Sequence, residues 1–329
     1  MALHGWLIVD KPLGPGSTQI VSAVKRALKA GGYPKMKVGH GGTLDPLASG
    51  VLPVALGEAT KLSGRMLDAD KIYDFTIGFG AETSTLDAEG EVIATSDARP
   101  TLAAVEAALP LFTGAIEQVP PAYSALMVDG KRAYDRARAG EQVEMKTRAV
   151  TVYDLEILPG TGRGTARSAV EGSAPSSEQP LHQPAAGPPP RAGEELQEIT
   201  LTARVSKGTY IRSLARDIAR AVGTVGSVTM LRRTKAGPFT LKGAISLDKL
   251  ADLGHARQLE QALLPLTAGL DDIPALPVAP DQARLLRQGQ KVIGIAAQPG
   301  HYLATDQSVP VALVELSEGE LRVVRGFNL

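Results

Sequence analysis

Residues 39–52 read GHGGTLDPLASGVL. Three glycines, a threonine and an Asp-Pro pair fall within eight positions, a composition that makes a tight loop open to close approach by a ligand. Pro46 restricts Asp45 to extended backbone geometry, so the carboxylate is positioned rather than mobile. The loop lacks the GK[ST] ending of a phosphate-binding P-loop, and its glycines do not follow the G-x-G-x-x-G dinucleotide spacing. The five histidines (4, 40, 182, 255 and 301) show no metal-binding spacing. Taken alone, an Asp before Pro is usually an ordinary turn residue.

Outward from this loop, residues 17–30 place Ile20, Val21, Val24 and Leu28 on one helical face, with Ser17 or Thr18 as N-cap and Gly31-Gly32 as the stop. Residues 71–79 and 90–95 read as strands, and 101–109 as a short helix. Segments 149–158 and 197–206 also read as strands, the second alternating through Ile199, Leu201, Ala203 and Val205. The stretch between them, 160–196, is rich in Gly, Pro, Ala and Ser. It holds too little apolar surface to offset its ordering entropy, which predicts a disordered insertion at a hairpin tip, or a linker. Residues 212–222 form a second amphipathic helix closed by Gly223. After about residue 275, four short apolar runs predict a small β module.

The chain has 329 residues and a formal net charge of zero, but the charge is segregated. Residues 1–66 carry eight Lys/Arg against three acids, and 200–242 carry nine against one, whereas 67–120 carry ten acids against two bases. Such segments are either solvated faces or a local phosphate-binding surface. The absence of cysteine excludes disulfides, Cys-ligated zinc and a thiolate nucleophile, and it fits a cytoplasmic protein. The N-terminus does not read as a signal peptide, and no apolar run of about 18 residues predicts a membrane span.

The GTLDP loop, with its preceding histidine and following G-V-L, resembles the catalytic loop of the bacterial tRNA pseudouridine-55 synthases, the TruB family. Further matches follow in order: EATK at 58–61, K-x-Y at 71–73, QVPPAYSALMVDGKRAYDRAR at 118–138, SKGTYIR at 206–212 and LRRTKAGPF at 231–239. They span about residues 5–245. The opening KPLGPGSTQIV departs from the family's usual K-P-x-G-x-T-S, and the 160–196 insertion is long for the family.

The resemblance implies an α+β fold, with a central mixed, mostly antiparallel sheet and a small C-terminal PUA-like β domain. It places a catalytic domain at 1–250, with a thumb-like segment at 118–148, and an RNA-binding domain at 275–329. It implies isomerisation of the T-loop uridine of tRNA to pseudouridine, with no cofactor or metal, in a monomer acting on the T-arm without an obligatory protein partner. Asp45 is then the essential carboxylate, and attack at uracil C6 or at sugar C1′ is equally compatible with the sequence. Tyr73 is expected to stack on the flipped base, where the residues alone read as a core strand position. Arg212 is expected to keep Asp45 ionised, and Tyr210, on what reads as a strand, to position the base or take the C5 proton. His40, Gly42, Thr43 and Leu231 are candidates to line the base site, Leu231 reading otherwise as plain core. Lys61, Lys131, Arg132, Lys207, Arg232 and Arg233 are candidate phosphate contacts or plain surface charges.

Two other functions compete. A uracil methyltransferase typically needs a cysteine nucleophile, which this chain lacks. A non-catalytic tRNA-binding or folding chaperone would use the C-terminal β module. Guide-RNA-dependent relatives would imply protein partners, but the thumb segment matches the stand-alone bacterial enzymes.

Overall fold

The computed structural model describes residues 2–159 and 194–329. The disordered insertion expected at 160–196 therefore lies outside the described residues except for its last three. Of those, Leu196 is fully buried and donates its N–H to the Pro100 carbonyl, so ordered chain begins before the expected boundary.

Strand β1 (Gly5–Lys11) leads into helix α1 (Ser17–Ala30). β2 (Val38–His40) and β3 (Ala48–Leu56) bracket the glycine-rich loop and are followed by α2 (Ser63–Asp68). Then come β4 (Lys71–Phe79), β5 (Ala81–Thr83), β6 (Val92–Thr95), α3 (Leu102–Ala108) and β7 (Gly114–Gln118). A small hairpin of β8 (Met127–Val128) and β9 (Lys131–Arg132) precedes α4 (Ala133–Arg138). β10 (Arg148–Ile157), β11 (Glu198–Val205), α5 (Ile211–Ala221) and β12 (Gly226–Ala236) follow. β13 (Phe239–Thr240), α6 (Leu247–His255) and β14 (Leu263–Pro265) come next. The chain closes with β15 (Ala275–Pro277), α7 (Pro280–Arg287), β16 (Val292–Ile293), β17 (Gly300–Asp306), β18 (Val309–Ser317) and β19 (Glu320–Gly326). Packing groups these elements into two compact units, Met1–Ala69 with Lys235–Leu329, and Asp70–Thr234.

In the Asp70–Thr234 unit the strand order is β12-β4-β11-β10-β7. β4 and β11 run antiparallel with Phe75 opposite Leu201 and Ile77 opposite Ile199. The period-two alternation of β11 puts Ile199, Leu201, Ala203 and Val205 into one core with Phe75, Ile77 and Phe79. Helix α5 covers that face with Leu214, Ala215 and Ile218, and burying each of the two larger side chains contributes about 2 kcal/mol. β10 and β11 pair antiparallel, so the insertion joins two paired strands, which matches the hairpin-tip reading and not the linker.

In the other unit β1 lies between β14 and β3, and β2 pairs with β3. α1 buries Ile20, Val21, Val24 and Leu28, as its periodicity predicts, and stops at Gly31-Gly32, with Gly32 at φ +66. Its N-cap is neither Ser17 nor Thr18 but Gly16. The Gln19 side chain accepts the Gly16 N–H at 2.7 Å, and the Ser17 hydroxyl is taken by the glycine-rich loop. The C-terminal sheet has the order β15-β17-β18-β19-β16, and α7 packs Ala283 and Leu286 onto its core. Its last four strands match the four apolar runs. β15 and α7 were not legible from periodicity, being three and eight residues long.

Candidate active site

The loop carrying Asp45 is held from both sides, by the end of β1 and the start of α1. Lys11 is 0% exposed and donates its ammonium to the carbonyls of Pro12 (2.9 Å), Pro46 (3.2 Å) and Ala48 (2.5 Å). A buried cation persists only with such partners, and two of these carbonyls lie within three residues of Asp45. Ser17 fixes the other side: its hydroxyl donates to the Leu44 carbonyl at 3.0 Å and accepts the Leu44 N–H at 2.8 Å. The Gly14 N–H adds a bond to the Pro46 carbonyl at 2.9 Å.

Between these clasps, the Ala48 N–H closes a turn on the Asp45 carbonyl at 3.1 Å, with Pro46 in the position where its fixed φ suits the turn. Gly42 has φ +140, a conformation reserved for glycine, and a Cβ on Gly41 would sit 2.6 Å from the Met66 side chain. Asp45 is half-buried, Thr43 is exposed, and His40 accepts the Gly42 N–H on Nδ1 at 3.4 Å. Among the described residues no cluster of His, Cys, Asp and Glu could hold a metal ion.

In the Asp70–Thr234 unit, Arg212 lies in the first turn of α5 and is 6% exposed. Its guanidinium pairs with Asp87 at 3.2 Å and donates to the carbonyls of Thr85 (2.7 Å) and Tyr123 (3.0 Å). Asp87 is itself fixed, accepting the Thr85 hydroxyl at 2.5 Å and the Glu89 N–H at 3.1 Å on Oδ1. Tyr210 is the N-cap of α5, not the strand residue that the sequence suggests. The turn at Gly208 (φ +79) ends the extended run before Tyr210. The Gln118 side chain brackets the Tyr210 backbone, accepting its N–H at 2.8 Å and donating to its carbonyl at 3.2 Å. Tyr73 on β4 and Leu231 on β12 are half-buried, and both pack against the edge of the same core.

The six basic candidates fall into two groups. Lys131, Arg132 and Lys207 are exposed, and Arg232 is half-buried. Arg233 is only 1% exposed, and so is not a surface phosphate contact here. Lys61 is taken by Glu58 at 2.7 Å and by the Gly326 carbonyl at 2.8 Å, and it joins the EATK turn to the end of β19.

Reading the sequence missed Lys11, Ser17, Asp87 and Gln118 as positioning residues. The signal for Asp87 is present at 85–87, where Thr-Leu-Asp repeats the core of the Asp45 loop. Lys11 and Ser17 sit in the opening KPLGPGSTQIV, which departs from the family's usual pattern, and nothing local marks their partners.

Residues 25–174 match the family model described as TruB family pseudouridylate synthase (N terminal domain), and residues 212–271 the tRNA pseudouridylate synthase B C-terminal domain. The tRNA pseudouridine synthase B of Novosphingobium aromaticivorans is 59% identical over 99% of this chain and 98% of its own length. The protein of that name from Zymomonas mobilis is 55% identical over 99% and 97%. Among solved structures, an H/ACA RNP bound to a substrate RNA containing 2'-deoxyuridine gives a TM-score of 0.67 at 21% identity, covering 99% of this chain and 86% of that one. A Cbf5-Nop10-Gar1 complex gives 0.67 at 24% identity, covering 99% and 84%. These two establish the expected fold, and the sequence matches establish that the chain belongs to the TruB family of pseudouridylate synthases.

Proposed function

We propose that this chain isomerises the T-loop uridine at position 55 of tRNA to pseudouridine, with Asp45 as the essential carboxylate. The observation that carries the reading is the double clasp on the Asp45 loop, Lys11 on one side and Ser17 on the other. Such fixation is what a carboxylate needs if it is to meet a flipped nucleotide in one geometry. The bond from uracil N1 to C1′ breaks, the base turns, and a C5–C1′ bond forms. C5 loses its proton and N1 gains one, so atoms balance without a cofactor.

Tyr73 stacks on the uracil, Leu231 forms an apolar wall, and Tyr210 positions the base or takes the C5 proton. Arg212 supplies positive charge from a guanidinium anchored by Asp87. His40, Gly42 and Thr43 line the loop side, while Lys131, Arg132, Lys207 and Arg232 contact phosphates. The β module at 275–329 serves as the PUA-like RNA-binding part. The enzyme acts as a cytoplasmic monomer on the T-arm.

The test is to incubate wild type and Asp45→Asn with an unmodified tRNA transcript, without metal or cofactor, and to map pseudouridine by nucleotide. Conversion of one T-loop uridine by wild type alone is expected, with RNA binding by Asp45→Asn within a few fold of wild type. Turnover by Asp45→Asn would sink the mechanism. Tight binding without conversion by wild type would favour a tRNA-folding role.

A further inference from the structure

The proposed function leaves the basic face of α1 unused. Thr18, Ser22, Lys25, Arg26 and Lys29 recur at helical spacing and are all exposed, on the side of α1 away from its buried residues. The buried side packs on α6, where a Cβ at Gly254 would lie 2.8 Å from the Ala27 Cβ. Lys35 and Lys37, just past the helix, are also exposed, and residues 11–44 contain no acid. Among the described residues no ion pair involves Lys25, Arg26, Lys29, Lys35 or Lys37, although α6 carries Asp248 and Asp252.

In a chain of zero net charge this is a segregated, uncompensated cluster. Lys29 gains from the helix C-terminus, but Lys25 and Lys29 repel each other at i, i+4. A polyanion relieves that repulsion, whereas an isolated anion would meet no buried polar group here. The groove beside the cluster adds shape: Gln19, Ser22, Ala23 and Arg26 line it along α1, with Leu247 of α6 opposite.

Because Ser17 is bonded to Leu44, α1 starts at the Asp45 loop. At 1.5 Å per residue, Lys25 to Lys29 lie about 12–18 Å along the helix from that point. We propose that this face of α1 is a second RNA contact, gripping backbone phosphates of the substrate tRNA at a distance from the flipped uridine. The inference rests on the proposed function.

The experiment compares wild type with the Lys25→Gln/Arg26→Gln/Lys29→Gln variant, measuring Kd for an unmodified tRNA transcript over a range of KCl concentrations, and turnover at saturating tRNA. The expected result is a roughly tenfold weaker Kd at low salt and a log Kd against log[KCl] slope smaller by about two, with turnover at saturation within twofold. Ser22→Lys, which adds a cation to the same face, should tighten binding and steepen the slope. Unchanged Kd and slope in both variants, with wild type converting the uridine normally, would overturn this contact and leave the function standing. A wild type that neither binds nor converts tRNA would sink both readings.

Discussion

Ser17 and Leu44 exchange two hydrogen bonds, the serine hydroxyl donating to the leucine carbonyl at 3.0 Å and accepting its N–H at 2.8 Å. One side chain therefore stands in for a strand partner and fixes the backbone immediately before Asp45. Ser17→Ala strands two buried backbone groups, at about 1–3 kcal/mol. We expect kcat to fall roughly tenfold with KM within about threefold, because the loss is of geometry at the carboxylate. Steady-state kinetics with the tRNA transcript checks this, and an unchanged kcat would show that Lys11 alone is sufficient.

Arg212 offers a planar fork to Asp87 and to the carbonyls of Thr85 and Tyr123. A lysine cannot serve all three directions, so Arg212→Lys is expected to lose at least about a hundredfold in turnover. Asp87→Ala removes one partner of the buried Arg212–Asp87 pair and should lower stability by about 3–5 kcal/mol. Urea denaturation reads this directly, and an unshifted midpoint would mean that the carbonyls suffice.

Tyr73 borders the core on β4, and no hydrogen bond of its hydroxyl enters the proposed role. Tyr73→Phe should keep most activity, whereas Tyr73→Ala should lose it along with stacking worth about 1–3 kcal/mol. Loss in the Phe variant would assign the hydroxyl a chemical task.

Glu58 gives a pH-dependent prediction. Burial pushes its carboxyl up, but hydrogen bonds from Lys61 and the Asn328 N–H, with the charges of Lys61 and His4, outweigh this and hold it below the ordinary 4.5. A depressed carboxyl stabilises the fold above its unfolded value and loses that contribution as pH falls through the folded value. Glu58→Gln should therefore melt below wild type at neutral pH, and the gap should close as pH falls below the ordinary carboxylate range. A gap independent of pH would point to packing instead of charge.

What was legible in the sequence is what is local. The face of α1, the alternation of β11 and the turn at Asp45-Pro46 follow from spacings of a few residues. The clasps do not: Lys11 meets Ala48 across 37 positions, and Gln118 meets Tyr210 across 92. No periodicity encodes such pairings, and Gln118 reads as polar even though it is 1% exposed. The N-cap of α1 was misread for the same reason, since the hydroxyl that looked local is spent on Leu44. Arg233 and Lys61 show the converse, cations that composition assigns to the surface but that the fold uses internally.

The two units differ in how they meet the order of synthesis. Asp70–Thr234 is contiguous, whereas the unit bearing Asp45 combines Met1–Ala69 with Lys235–Leu329. At roughly 5–20 residues per second, its first part waits about 10–30 s on the ribosome before its complement begins to emerge. Strand β1 is exposed meanwhile with Trp6, Leu7, Ile8 and Val9, all of which end at 0–1% exposure. Closure of the unit bearing Asp45 thus awaits the end of synthesis, and a chain terminated before residue 235 would carry Asp45 on a unit that never closes.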